Sequence, residues 1–174
     1  KERNNPALQP QSRSIKGAGA DLIGMSKEEM KAARAEGDEL GKGGSPFAWG
    51  SSGKDETQDR DWQAAEQAIQ LLQEEHDQPL FLAVGFHKCH LPFIVPQKYL
   101  DMYPPEKIQL PKNASHEDPK SNPDHRTLTD ETWREAIAAH YACLTFADDL
   151  VGRILKALDE TGRRENTIVV LWSD

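Results

Sequence analysis

Pro79-Leu-Phe-Leu-Ala-Val-Gly-Phe86 runs directly into His87-Lys-Cys-His-Leu-Pro-Phe93. Every residue from 80 to 86 is apolar or glycine. A short, wholly apolar run of this kind predicts a strand buried on both faces. It breaks off in His87, Lys88 and His90. Ligands of open parallel sheets bind just beyond the carboxyl ends of strands, so a cationic cluster there is placed to hold an anion.

The C-terminus repeats the pattern. Thr167-Ile-Val-Val-Leu-Trp172 is a second apolar, β-branched run, and it ends in Ser173-Asp174. Between the two runs, residues 133–158 have the spacing of a long amphipathic helix. Ile137, Tyr141, Leu144, Ala147, Val151, Ile154 and Leu158 trace its expected apolar stripe, Thr129 or Asp130 caps its start, and Gly162 suits its end. Strand, helix, strand predicts a βαβ unit with parallel strands and a right-handed crossover. His90 and Asp174 would then emerge on one rim of a sheet, cations beside a carboxylate, as in an anion site next to a metal site. The fold class is α/β.

Upstream, Trp62, Ala65, Ala68, Ile69 and Leu72 stand at helical spacing, with Asp59 or Asp61 as the cap. Residues 97–102 read as a helical turn ended by Tyr103-Pro-Pro105. Residues 111–129 are polar, interrupted by Pro111, Pro119 and Pro123, and read as a loop. Residues 1–58 are poor in large apolar side chains and are expected to be a loop-rich part of the same domain, with 59–174 as the α/β core. Within the first stretch, Ser26-Lys-Glu-Glu29 reads as a capping box opening a short helix to about residue 36. Residues 41–53 read as a loop, with Phe47 and Trp49 as anchors.

With 21 Lys and Arg against 29 Asp and Glu, the formal charge is −8, which argues against a general nucleic-acid partner. A few local cations can still dominate a pocket. No run of about 18 apolar residues is present, so no membrane span is expected. Two cysteines, Cys89 and Cys143, make no disulfide framework. No Gly-x-Gly-x-x-Gly follows either apolar run, which disfavours a nucleotide-binding βαβ domain.

The segment 79–93, followed by Pro96 and Tyr103-Pro104, closely resembles the type I sulfatases, and within them the iduronate-2-sulfatase-like branch of the alkaline phosphatase superfamily. Ala68-Ile-Gln-Leu-Leu72, Tyr141-Ala-Cys143 through Asp148, Val151-Gly-Arg-Ile-Leu155 and Thr167 through Asp174 extend the likeness in the same order, and Phe47-Ala-Trp-Gly50 adds a weaker match. The resemblance spans residues 46–174. It implies a fragment of an alkaline-phosphatase-like sandwich, a mostly parallel sheet flanked by helices. It implies a sulfatase whose substrate is a sulfate ester, on a sugar or polysaccharide, in a periplasmic, extracellular or lysosomal setting. The chain begins without methionine and stops in mid-motif, so it reads as an internal piece, inactive alone.

By the same resemblance, His90 faces the sulfate group as a catalytic and substrate-binding residue. A histidine there can donate as imidazolium or carry a proton, where a sulfate ester needs donors as charge builds on the leaving oxygen. The competing reading is a loop histidine bonded only to backbone. Lys88 is a point cation for the anionic substrate, or else a solvated lysine. His87 is expected to orient the turn. A zinc site of His87, Cys89 and His90 is disfavoured, because adjacent ligands strain a tetrahedral site. Cys89 stands where the family usually has proline, which restores an N–H and bears on the turn that aims His90. Asp174 resembles a calcium ligand, its carboxylate suited to a hard divalent ion, against the alternative of an N-cap.

The family's formylglycine arises from a cysteine in Cys-x-Pro-Ser-Arg. Cys89 and Cys143 lack that setting, so the nucleophile is absent from these residues. The alternatives are a phosphoric or phosphonic ester hydrolase of the same superfamily and a non-catalytic anion-binding pseudoenzyme. Asp148 and Asp149, adjacent on a helix, are expected in solvent or in capping contacts, and His140 packed or solvated. Trp62, Trp133 and Trp172 read as core or interface aromatics, and Cys89 as a half-buried small hydrophobe.

Overall fold

The computed structural model describes residues 11–16, 48–111 and 129–173. Asp174, Phe47, His116, His125, the capping box at 26–29 and most of the 111–129 loop lie outside the described residues.

The first apolar run forms strand β3, Leu80–Gly85, which pairs in parallel with β1, Gln11–Lys16, in the register Gln11↔Leu80 to Lys16↔Gly85. After the histidine turn the chain forms β4, Phe93–Val95, parallel to β2, Trp49–Ser51. Helix α1, Arg60–Gln73, packs on β1 and β3. The four-residue α2 is Gln97–Leu100, and the long α3, Asp130–Glu160, lies against α1, α2, β2 and β4. This is an α/β arrangement of parallel strands flanked by helices.

Local chemistry explains the helix bounds. Asp59 caps α1, its side chain accepting from the Asp61 N–H. Thr129 caps α3 in the same way through the Thr132 N–H. At the far end Gly162 takes φ +68°, a left-handed conformation cheap only for glycine. Its N–H bonds Asp159 O, while Arg163 N–H reaches Leu158 O at 3.4 Å, the pattern of a Schellman cap.

The core lies where α1, α3 and β4 meet. Ala65, Val95, Tyr99, Ala142, Cys143, Phe146 and Leu150 form one buried cluster; Leu72, Ala157 and Leu158 form a second. Ala65 thus sits by the middle of α3 and Leu72 near its end, so the two helices run the same way. Alanines at 64, 65 and 68 on α1 and at 136, 138, 139 and 142 on α3 are all buried, which lets helix backbones approach closely.

Three expectations are corrected. Residues 167–173 join no strand in the structure, and their apolar side chains lie open, Ile168 at 92% exposure and Trp172 at 75%. An apolar run becomes a strand only when a neighbour accepts its ladder bonds. The parallel partner of β3 is instead β1, from the stretch expected to be loop-rich. Gln-Ser-Arg-Ser-Ile-Lys holds one large apolar residue, so hydrophobic periodicity does not reveal it.

Second, β3 is not covered on both faces. Leu80 and Leu82 pack against the Leu72–Leu158 cluster, whereas the intervening Phe81 is 56% exposed. Third, the buried stripe of α3 is turned from the expected one. Ala139, Ala142, Cys143, Phe146, Leu150 and Ala157 face inward; of the expected stripe Leu158 is buried and Ile154 packs on both clusters, while Tyr141 and Leu144 are exposed. The helix carries apolar residues on more than one face, and α1 and β4 select the face whose small residues admit them.

Candidate active site

The site grows from the end of β3. His87 through His90 fold into a turn closed by the His90 N–H donating to His87 O at 2.9 Å. The Lys88–Cys89 and Leu91–Pro92 peptides are cis. The chain then enters β4, where Phe93 N–H donates to Ala48 O at 2.8 Å.

The start of α1 holds the turn from below. Asp61 is 1% exposed, and its two oxygens accept the His87 N–H and the Lys88 N–H, each at 2.9 Å. Asp59 divides its oxygens differently. Oδ1 accepts the Asp61 N–H at 2.8 Å, and Oδ2 meets Lys88 Nζ at 3.0 Å. A desolvated carboxylate is tolerated only when fully bonded, and each oxygen here has a partner. Bonds to charged groups contribute about 1.5–3 kcal/mol each. The first turn of a helix also favours negative charge.

Lys88, expected as a cation for the substrate, is placed facing inward. Its side chain is 2% exposed, paired with Asp59, and its ammonium lies 5.8 Å from the Phe146 ring centroid. Two carboxylates against one ammonium leave this buried group net negative, so it does not by itself attract an anion.

His90 is exposed. Its Nδ1 lies 2.8 Å from Leu91 O. A carbonyl only accepts, so Nδ1 carries the hydrogen and the neutral ring keeps its lone pair on Nε2. The His87 ring stands 5.1 Å from that of His90, tilted by 34°. Burial lowers the His87 pKa, and the neighbouring Asp61 charge opposes that shift.

The cysteines serve packing. Cys143 is fully buried and burial pushes its thiol up to about 12, so it is inert as a nucleophile. Cys89 is half-buried against the same cluster. His140 packs edge-on to Phe93 at 4.9 Å and is held below its ordinary pKa by burial. Asp149 accepts from the Tyr99 hydroxyl at 2.7 Å, tying α2 to α3. Trp62 lies 3.6 Å beneath the Arg153 guanidinium, and Arg153 also pairs with Glu66. Among the described residues no group of three His, Cys, Asp or Glu side chains could hold a metal ion.

In the sequence Asp59 and Asp61 read only as helix caps. Their tie to the histidine turn crosses 26 to 29 residues, beyond the reach of local pattern. The available signal was a pair of acids two apart opening a helix just before a strand that ends in lysine.

A parallel strand carries the histidine turn at its carboxyl end, and helices flank it, which defines an α/β protein. Comparison with known proteins is specific. The family model described as Sulfatase matches residues 17–174. A sulfatase of Formosa agariphila is 34% identical over 139 residues, 72% of this chain and 27% of that protein. Human iduronate 2-sulfatase is 32% identical over 137 residues, 66% of this chain and 25% of that protein. An ulvan-active sulfatase of Formosa agariphila is 38% identical over 103 residues, 59% of this chain and 18% of that protein. The chain belongs to the sulfatase family. It spans about a quarter of the length of the first two of these relatives.

Proposed function

We propose that the protein carrying this chain hydrolyses a sulfate ester on a sugar or polysaccharide, and that His90 is the residue of this chain that meets the reacting group. Family membership supports the reaction class, and two relatives are named for carbohydrates, iduronate and ulvan. The observation that carries the role of His90 is its ring, bonded through Nδ1 at the exposed end of a clamped turn. As imidazolium, its Nε2–H donates to the leaving oxygen as negative charge builds there. As neutral imidazole, the same nitrogen accepts a proton.

Lys88, committed to Asp59, is assigned to holding the turn rather than to the anion. His87 shares the turn and adds a second ring beside the first. The sulfatase family implies a metal ion; we assign Asp174 as one ligand, with calcium suited to its oxygens. The formylglycine nucleophile would come from outside these 174 residues, since neither cysteine has the required setting. Residues 59–174 would form the α/β core, with 1–58 in the same domain.

The test uses the whole protein and phenyl sulfate, whose leaving oxygen needs a proton. His90→Ala should lower kcat by about 10²- to 10⁴-fold with the fold intact by circular dichroism. An unchanged kcat would sink the assignment. Faster turnover of phenyl phosphate than of phenyl sulfate would move the reaction class to phosphorus.

A further inference from the structure

The acids at the start of α1, one buried and one partly buried, have no role in the chemistry above, yet every carboxylate oxygen of the pair is spoken for. Asp61 accepts from the backbone of both His87 and Lys88; Asp59 caps its own helix and binds the Lys88 ammonium. Asp61 is 1% exposed and the Lys88 side chain 2%. A cap needs only one side-chain oxygen accepting from an N–H of the first turn, so the other three contacts serve something else. These contacts grip the first half of the turn whose second half presents His90, through the His90 N–H bond to His87 O.

We infer that Asp61, together with the Asp59–Lys88 pair, is a positioning device for His90: the N-terminus of α1 sets where that imidazole stands over the sulfate ester. The inference rests on the reading of His90 as the working group. Asp61 never touches substrate. It holds two backbone N–H groups, so its loss lets the turn shift while the ring chemistry survives. A displacement of about 1 Å at a reacting group can cost about 100-fold in rate.

The experiment compares phenyl sulfate with 4-nitrophenyl sulfate in the whole protein. The nitro compound's leaving oxygen is the weaker base and needs less help from a proton donor. His90→Ala should therefore lower kcat more on phenyl than on 4-nitrophenyl sulfate. Asp61→Asn, which keeps the shape but gives up one acceptor, should reproduce that skew. We expect kcat about 10- to 100-fold lower on phenyl sulfate, a smaller loss on the nitro compound, and KM within about twofold.

A merely structural role scales both substrates equally, by reducing the amount of active protein. Equal scaling or no loss in Asp61→Asn, with the skew present in His90→Ala, overturns the inference and leaves the reading of His90 standing. No loss in His90→Ala overturns that reading and the inference with it. If Asp61→Asn does not fold, Asp59→Asn decides, because asparagine still caps the helix but cannot pair with Lys88 as an ion. It should show the same skew at about three- to tenfold, and equal scaling there overturns the inference.

Discussion

Residues 86–96 and 167–173 are both largely apolar, yet they end in opposite states. In the first, Lys88, Pro92, Ile94, Val95 and Pro96 are buried, and even a lysine is folded inward. In the second, Ile168, Val169, Val170, Leu171 and Trp172 are all exposed, at 49% or more. Hydrophobicity does not separate them. The first has partners on several sides: Asp61 and Asp59 on its backbone and lysine, β2 alongside, and Tyr99 and Phe146 in the cluster it joins. The second has no strand beside it among the described residues. Burial is a property of a segment and its neighbours together, and a charged side chain with a fixed counter-ion is buried ahead of a valine that has none.

The contrast can be broken most directly in the 174-residue chain by removing what the first region rests on. Phe146 is fully buried beneath Lys88 and beside the Tyr99 ring, 4.9 Å between centroids. Phe146→Ala should cost about 3–5 kcal/mol in urea unfolding. A loss below about 1 kcal/mol would mean that the cluster is not the core.

Lys88→Met strands Asp59 without its counter-charge, and removal of one partner from a buried pair costs about 3 kcal/mol. The double variant with Asp59→Asn should be less unstable than the two single losses added together. Strict additivity would show that the pair contributes nothing as a pair.

Acid should act on the first region before the second. Burial holds His87 and His140 below the ordinary histidine value of 6.5, so the unfolded chain takes up these protons first as pH falls. Stability contributed by the neutral rings is present above pH 6.5 and is lost as pH falls below it toward the lowered folded values. Both rings are only partly buried, so solvent screening keeps each contribution small. His140→Gln should flatten the pH dependence of unfolding; a slope unchanged from the parent would remove His140 from the account.

Trp172→Ala should change the stability of this chain by less than about 0.5 kcal/mol, the ordinary value for an exposed site. A cost near that of Phe146→Ala would show the C-terminal run to be packed after all, and would erase the contrast.

Much of the frame was legible in the residues. The apolar run became β3, Asp59 was one of two caps named for α1, and the long helix starts at one of its two proposed caps and ends at its glycine. Those features depend on neighbours within about four positions. The face of α3 was not legible, because Tyr141 and Leu144 are as apolar by count as Ala139 and Phe146. Packing chose between the stripes by size, since small residues let α1 approach. Strand β1 was not legible either, because ladder bonds use backbone and one isoleucine is no pattern. At the site, the histidine turn was visible and its support was not. Asp61 looks like any first-turn acid until the fold carries residue 87 onto it.

By itself, then, the order of the residues determined helices α1 and α3 with their candidate caps, the β3 strand, the location of the candidate His90, and membership in the sulfatase family. Each of these is written in short-range spacing or in motifs that survive without coordinates. Only the tertiary structure decided which stripe of α3 is core, which strand pairs with β3, that Lys88 turns inward to Asp59, and that Asp61 grips the turn. Those outcomes depend on contacts between positions tens of residues apart, where burial, charge pairing and steric fit compete and no local pattern records the winner.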